Sequence, residues 1–230
     1  MMTRDNGYLY AASKDIRYLT SAAYSCETLR EQHPDAHVTL AIPKHFYDPF
    51  LEKYFDKILF SPDDNKRTKL WALSQTPYEK TLYIDADCVI KHPDIAHVHD
   101  LLGDHDIMLS RIRPYAGAFV YFPGGKLEDH CGVMLYNNSD KTIEFMKQWW
   151  ELWQKQESGE WKWDTELYPM DLKPWDQWSY WWLMNKTEYA IDRGYFPDPD
   201  ARWNFVNTYK NSECPLEDIV IYHHTIDLKR

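Results

Sequence analysis

Hydrophobic and polar positions along the first third of the chain switch between two periods. An apolar run at 8–13 has the length of a strand. Over 15–32, Ile16, Leu19, Ala22, Ala23, Cys26 and Leu29 recur at helical spacing, and over 37–42 Val38, Leu40 and Ile42 alternate with a period of two. Pro34 and Pro43 punctuate this β-α-β unit. The pattern predicts a second helix over 46–54, a strand at 57–60, a helix over 65–75 and a buried strand at 81–84. Further on it is less regular, with strands at 107–110, 118–122 and 132–136, Gly124-Gly125 as a turn, and a helix from 141 to about 156. Residues 157–174 read as a loop, 175–184 as a helix and 219–223 as a last strand. Strands alternating with helices imply an α/β fold on a doubly wound, mostly parallel, Rossmann-like sheet. Ligands of such sheets bind beyond the carboxyl ends of the strands.

Composition narrows the picture. The 230 residues suit one domain, and no internal repeat, low-complexity tract or linker divides them, so a single domain over 1–230 is expected. Acidic residues (36) outnumber basic ones (26), and no block of consecutive Lys or Arg appears. This excludes nucleic acid or an anionic membrane surface as the main partner, and any anionic ligand must be held by local cations. Mean hydropathy is -0.65, no run approaches the ~18 apolar residues of a spanning helix, and the start lacks the apolar stretch of a signal peptide. A soluble cytoplasmic protein with no transmembrane segment is expected. Cys26, Cys88, Cys131 and Cys214 lie far apart with no Cys-x-x-Cys pair, which argues for reduced thiols over disulfides or a zinc site. The aromatic load is heavy, with 11 Trp, 17 Tyr and 9 Phe. Such rings can serve as sugar platforms, but Phe145, Trp149 and Trp153 recur at i, i+4, i+8, with Met146 and Trp150 beside them, which predicts a buried helix face.

The segment Thr81-Leu82-Tyr83-Ile84-Asp85-Ala86-Asp87 carries the candidate chemistry. An apolar strand running into Asp-x-Asp delivers two carboxylates on one side of an extended backbone, at the ligand edge of the sheet. Two anions aimed at one point need a cation between them, and hard divalent ions bring phosphate oxygens with them. Two enzyme classes place Asp-x-Asp after such a strand. In haloacid-dehalogenase-type phosphatases that strand opens the domain, whereas here about 80 residues of β-α-β pattern precede it, and no convincing acidic pair follows downstream. In nucleotide-sugar transferases the Asp-x-Asp comes after the nucleotide-binding half, which is the order here.

Thr68-Lys69-Leu70 leading into Tyr83-Ile84-Asp85-Ala86-Asp87, then Cys131-Gly132-Val133-Met134, Asp176-Gln177, Trp203-Asn204 and finally His223 with Lys229 six positions later, stand in a specific order. In that order the chain resembles the GT-A fold glycogenin and lipopolysaccharide galactosyltransferase family of retaining glycosyltransferases, over roughly residues 8–229. The resemblance implies a UDP-sugar-dependent hexosyltransferase, with about 1–90 as the nucleotide-binding half and 91–230 as the donor-sugar and acceptor half. It implies a metal, Mn²⁺ or Mg²⁺, held by Asp85, Asp87 and His223, with His224 an alternative ligand; an imidazole among the ligands favours Mn²⁺. It places Ala11, Ser13, Tyr18, Lys69, Asp85, Ala86 and Lys229 against the nucleotide and diphosphate, His130, Cys131 and Gly132 against the donor sugar, and Asp176 and Gln177 at the anomeric carbon. His130 stands where the family has Asn, and Ile226 where it has Gly. The acceptor, whether carbohydrate, protein or lipid-linked, is left open, with the Trp-rich stretch 157–175 as its expected contact. A nucleotide-sugar-binding protein without turnover and the phosphatase remain the alternative readings.

Overall fold

A computed structural model describes residues 4–111, 121–122, 125–126, 129–161, 175–206 and 214–224. The first third forms β1 (Arg4–Ala11), α1 (Ile16–Gln32), β2 (Val38–Pro43), β3 (Lys57–Ser61), α2 (Thr68–Leu73) and β4 (Tyr78–Ile84). Then follow β5 (Cys88–Ile90), β6 (Ile107–Arg111), the two-residue pair β7 (Tyr121–Phe122) and β8 (Gly125–Lys126), and β9 (Asp129–Asn137). The last part comprises α3 (Asp140–Ser158), α4 (Asp176–Lys186), β10 (Arg193–Tyr195), β11 (Phe205–Val206) and β12 (Ile221–His223).

The central sheet has seven strands in the order β10-β6-β9-β4-β1-β2-β3. β1 runs parallel to both β2 and β4, and only β9 is reversed, pairing antiparallel with β4 on one side and β6 on the other. The order reverses between β1 and β4, which is the switch point where doubly wound sheets open a crevice. The period of two along each strand sorts residues into two layers. Tyr8, Tyr10, Leu40, Ile42, Leu82 and Ile84 face α1, while Leu9, Ala41, Tyr83, Met134 and Tyr136 face α3 and α4. Phe145, Met146, Trp149 and Trp153 are fully buried in the second layer, as their spacing predicts, and Trp150 packs at its margin.

Local chemistry sets the element ends. Asp15 caps α1 through the Arg17 N–H, Ser139 caps α3 through the Thr142 N–H, and Gly159 ends α3 with a φ of 78° that favours glycine. Several predicted elements differ. The helix expected over 46–54 is two 3₁₀ turns, Lys44–Phe46 and Pro49–Lys53, because Asp48 caps a new turn with Pro49 at its first position and interrupts any continuous ladder. The helix expected over 65–75 shrinks to α2, since the Thr68 N–H and hydroxyl are both spent on Asn65 O in a tight turn. The last strand starts at Ile221, after a 3₁₀ turn Leu216–Asp218. Of the strand expected at 118–122 only 121–122 is described, and Gly125 belongs to β8.

A second, three-stranded sheet, β11-β12-β5, takes over where β4 ends. β12 runs antiparallel to β5, with His223 opposite Cys88, Tyr222 opposite Val89 and Ile221 opposite Ile90. This pairing carries the end of β12 to the Asp-x-Asp turn.

Candidate active site

Asp85-Ala86-Asp87 forms a turn at the carboxyl end of β4: the Asp85 N–H donates to Gly132 O at 2.8 Å and the Cys88 N–H to Asp85 O at 3.2 Å. The His224 N–H donates to Asp87 O at 2.8 Å, which holds β12 against the turn. One ligand atom from each of Asp85, Asp87 and His223 falls within 4.8 Å of the others. His223 Nε2 lies 3.3 Å from Asp87 Oδ1 and 4.0 Å from Asp85 Oδ2. The other oxygen of Asp85 is already engaged, accepting from the Tyr83 hydroxyl at 2.5 Å and Lys69 Nζ at 3.3 Å. Asp85 thus turns one oxygen to the sheet and one to its two companions. Burial opposes a charged His223 ring, yet Cys88 and Asp87 beside it outweigh burial and raise its pKa well above the ordinary value.

The donor set fits a divalent cation. Two carboxylates bring hard oxygen donors and the imidazole a nitrogen donor, a set able to hold a divalent ion. The second ring nitrogen of His223 is tied to Asn204 Oδ1 at 2.8 Å, as metal-binding imidazoles generally are. Gly132 floors the cluster: a Cβ there would lie 2.6 Å from the His223 ring and 2.9 Å from Asp85 Oδ2. His224, the alternative ligand, packs on Tyr222 instead, with ring centroids 4.5 Å apart.

A second charge cluster adjoins the first. Asp176, first residue of α4 and buried, meets Lys69 Nζ at 2.9 Å and Arg67 Nε at 3.2 Å. Burial alone would raise its pKa, but the Arg67 and Lys69 cations outweigh burial and hold the carboxyl down to about 2. Burial likewise disfavours the Lys69 ammonium, and Asp176 and Asp85 more than restore it, raising its pKa. Lys69 therefore stands between the two carboxylates and links the clusters.

A cleft of ≈ 430 Å³ opens beside them, lined by Ala11, Ser13, Tyr18, Lys69, Asp85 and Ala86, six of the seven residues expected against the nucleotide and diphosphate. Lys229, the seventh, lies outside the described residues. Asp87 and Tyr83 line it too, as do three cations that sequence reasoning passed over: Lys14, Lys66 and Arg67. Only Arg67 carried a signal, as it sits two residues before Lys69 at the mouth of α2. Lys14 takes a positive φ of 66°, and its N–H donates to Asp64 at 2.7 Å, shaping the loop after β1. The Ser13 hydroxyl is directed away, donating to Asn65 O at 2.6 Å. Gln177 is half-buried on the first turn of α4.

His130, Cys131 and Gly132 lie on β9 next to the triad, where the pairing with β6 slips between Leu109 and Ser110. Such an irregularity re-aims side chains. His130 Nδ1 receives the Gly132 N–H at 3.2 Å and meets Asn204 Nδ2 at 2.8 Å. Burial first, then the neighbouring His223 and Lys69, push its pKa down to about 3, so the ring stays neutral. Cys131 is buried, its carbonyl accepting from Lys69 at 3.3 Å.

The chain matches no protein-family model, and no curated protein matches it in sequence. Solved structures do match. The glycosyltransferase GlyE of Streptococcus pneumoniae TIGR4 aligns with a TM-score of 0.63 and 15% identity over 95% of this chain, which spans 55% of GlyE. A glycosyltransferase involved in glycosylating the major capsid of PBCV-1 gives 0.57 and 14%, over 95% of this chain and 92% of that one. The galactosyltransferase LgtC, solved with donor and acceptor sugar analogues, gives 0.52 and 16%, over 95% and 86%. At these identities the likeness establishes the fold, which is GT-A.

Proposed function

We propose that this chain is a metal-dependent glycosyltransferase that moves a hexose-type sugar from a UDP-sugar to an acceptor hydroxyl with retention at the anomeric carbon. The observation that carries the reading is the convergence of Asp85, Asp87 and His223 at the mouth of a cation-lined cleft, on a fold shared with glycosyltransferases. Residues up to about 90 hold the nucleotide, and the later ones the sugar and the acceptor.

A divalent cation bound by Asp85, Asp87 and His223 would act as Lewis acid toward the departing diphosphate. The chain's own groups do the rest. Lys14, Lys66, Arg67 and Lys69 supply the positive charge that an acidic protein needs locally to hold a diphosphate, and Lys229 adds to it from the end of the chain. Tyr18 offers its ring to the base. Asp176, kept ionised by Arg67 and Lys69, stabilises positive charge developing at the anomeric carbon, with Gln177 beside it. Preorganisation is the gain: the carboxylate is fixed before the sugar arrives. His130, Cys131 and Gly132 border the sugar.

The test is thermal stability with UDP, other nucleoside diphosphates and a set of UDP-sugars, with and without Mn²⁺, on the native chain and on Asp85→Ala/Asp87→Ala. A ligand that binds only the folded state at about 100 times its Kd adds roughly 2.7 kcal/mol of stability. A Mn²⁺-dependent rise in Tm with UDP and a subset of its sugars, absent in the double variant, is expected. UDP release that depends on an added acceptor then separates transfer from mere binding. No rise with any nucleotide would reject the reading.

A further inference from the structure

We propose that Asn204 is a positioning residue whose single amide couples the ring polarity of two histidines, relaying to His223 the sense that holds the Nε2–H of His130 toward an oxygen of the donor sugar, so that the Nε2 lone pair of His223 is turned toward the cation. The identity of those two ligands rests on the function proposed above; the polarity itself rests on hydrogen bonds alone.

The direction begins in the main chain. The Gly132 N–H can only donate, and it meets His130 Nδ1 at 3.2 Å, so Nδ1 offers its lone pair and the proton of the neutral ring sits on Nε2. Asn204 approaches the same Nδ1 at 2.8 Å. An amide oxygen there would face a lone pair, so the nitrogen must be on that side, and Oδ1 is thereby turned to His223 Nδ1 at 2.8 Å. Because Oδ1 accepts, His223 Nδ1 carries a hydrogen, which leaves Nε2 to face Asp87 and Asp85. Gly132, His130, Asn204 and His223 form a chain with one sense, and a backbone amide fixes it.

Asn204 suits this task. It is completely buried and follows the 3₁₀ turn Asp200–Trp203, with its N–H on Ala201 O at 3.3 Å, directly before β11. β11 pairs with β12, so both ends of the Asn204–His223 contact ride on one small sheet. The two rings stand edge to face, 5.4 Å apart, over Gly132, where a Cβ would lie 3.0 Å from the His130 ring. Aspartate at 204 would satisfy His223 but present an acceptor to a nitrogen that already takes the Gly132 N–H. Leucine would satisfy neither ring. Among the described residues His130 Nε2 has no hydrogen-bond partner, so its N–H is available to a ligand oxygen.

The experiment pairs two readouts on the native chain, Asn204→Asp and Asn204→Leu, with Tm as the check on folding. Long-range ¹H–¹⁵N correlation of the metal-free protein reads which nitrogen of His130 carries the proton, and calorimetry reads Mn²⁺ affinity and the preference for UDP-sugar over UDP. The native chain should show His130 protonated on Nε2 alone. Asn204→Asp should move the proton to Nδ1 and erase the preference for UDP-sugar while keeping Mn²⁺ affinity within about threefold. Asn204→Leu should weaken Mn²⁺ binding by roughly 10–100-fold, the usual effect of removing the partner that orients a metal-binding imidazole. His130 protonated on Nδ1 in the native chain, or Mn²⁺ binding untouched by Asn204→Leu, would overturn the inference. A native chain with the expected His130 signal that binds neither Mn²⁺ nor UDP would instead overturn the proposed function, and the ligand assignments with it.

Discussion

Histidines flank a cavity at each end of the central sheet, with opposite surroundings. At the amino end, Tyr8, His33, His37 and His99 border a cavity of ≈ 780 Å³, larger than the cleft at the carboxyl end. Each ring there meets a neutral partner: His33 the Tyr8 hydroxyl at 3.0 Å, His37 the Tyr78 hydroxyl at 2.8 Å, His99 the Gly7 carbonyl at 3.0 Å. Burial is the largest influence on all three and lowers their pKa, while Asp35 beside His33, Asp56 beside His37 and the Gly7 carbonyl on His99 offset it only in part. At the carboxyl end, His223 faces Asp87 and Asp85, and Cys88 and Asp87 outweigh burial and raise its pKa. Cavity volume and histidine count thus do not distinguish the two ends; what distinguishes the carboxyl end is that three carboxylates, two cations and an imidazole meet in adjoining clusters. On the proposed function, the carboxyl end serves the ligand while the amino-end histidines serve the packing of the sheet.

Exchanging the roles of the two ends is the strongest way to break this comparison. Asp85→Ala/Asp87→Ala should abolish Mn²⁺ binding, a loss beyond 100-fold by calorimetry, with the fold, checked by Tm, retained. His33→Ala should leave Mn²⁺ binding unchanged. If the double variant bound Mn²⁺ normally, the division of labour would be wrong.

Two glycines sharpen the contrast. Gly132→Ala drives a methyl against His223 and Asp85, and should weaken Mn²⁺ affinity by roughly 10–100-fold, as displaced ligands do. Gly7→Ala drives one to 2.2 Å from the buried ring of Tyr78, which His37 and Thr39 pin through its hydroxyl. That ring has nowhere to go. Overpacking of this kind costs roughly 1–3 kcal/mol, to be read by denaturant unfolding, with Mn²⁺ affinity unmoved.

The smallest effect concerns pH. His99 is held neutral to about 4, below the 6.5 of an ordinary imidazole, chiefly by burial. Between those values the unfolded chain binds more protons than the folded one, so stability falls as pH drops from 6.5 toward 4 and is whole above 6.5. The slope from this residue is at most about 1.4 kcal/mol per pH unit. His99→Gln keeps an N–H for Gly7 O without titrating, and should flatten the curve measured from pH 7 to 5.

These contrasts follow what the residues disclose in sequence. The strands of the first third were legible because Leu82, Tyr83 and Ile84 alternate between two buried faces, and Asp85 and Asp87 were legible because their chemistry is contiguous. β5, β10 and β11 are two or three residues long, too short for any period to register. The helix pattern over 46–54 misled because Asp48 and Pro49 start a new turn inside it. The Asn204 relay joins residues that only the folded sheets bring together, and the sequence signal of Arg67, its place two residues before Lys69, did not disclose the buried carboxylate it meets on α4.

The antiparallel pairing of β5 with β12 has a bearing on how the molecule is made. On a ribosome, β1 to β4 and both aspartates emerge long before β12. The carboxylates must wait for their imidazole until nearly the whole of this sequence has been translated. On the proposed function, cation capture would report that β12 has docked, and a chain cut before Ile221 would keep the two aspartates while losing the His223 imidazole that lies beside them.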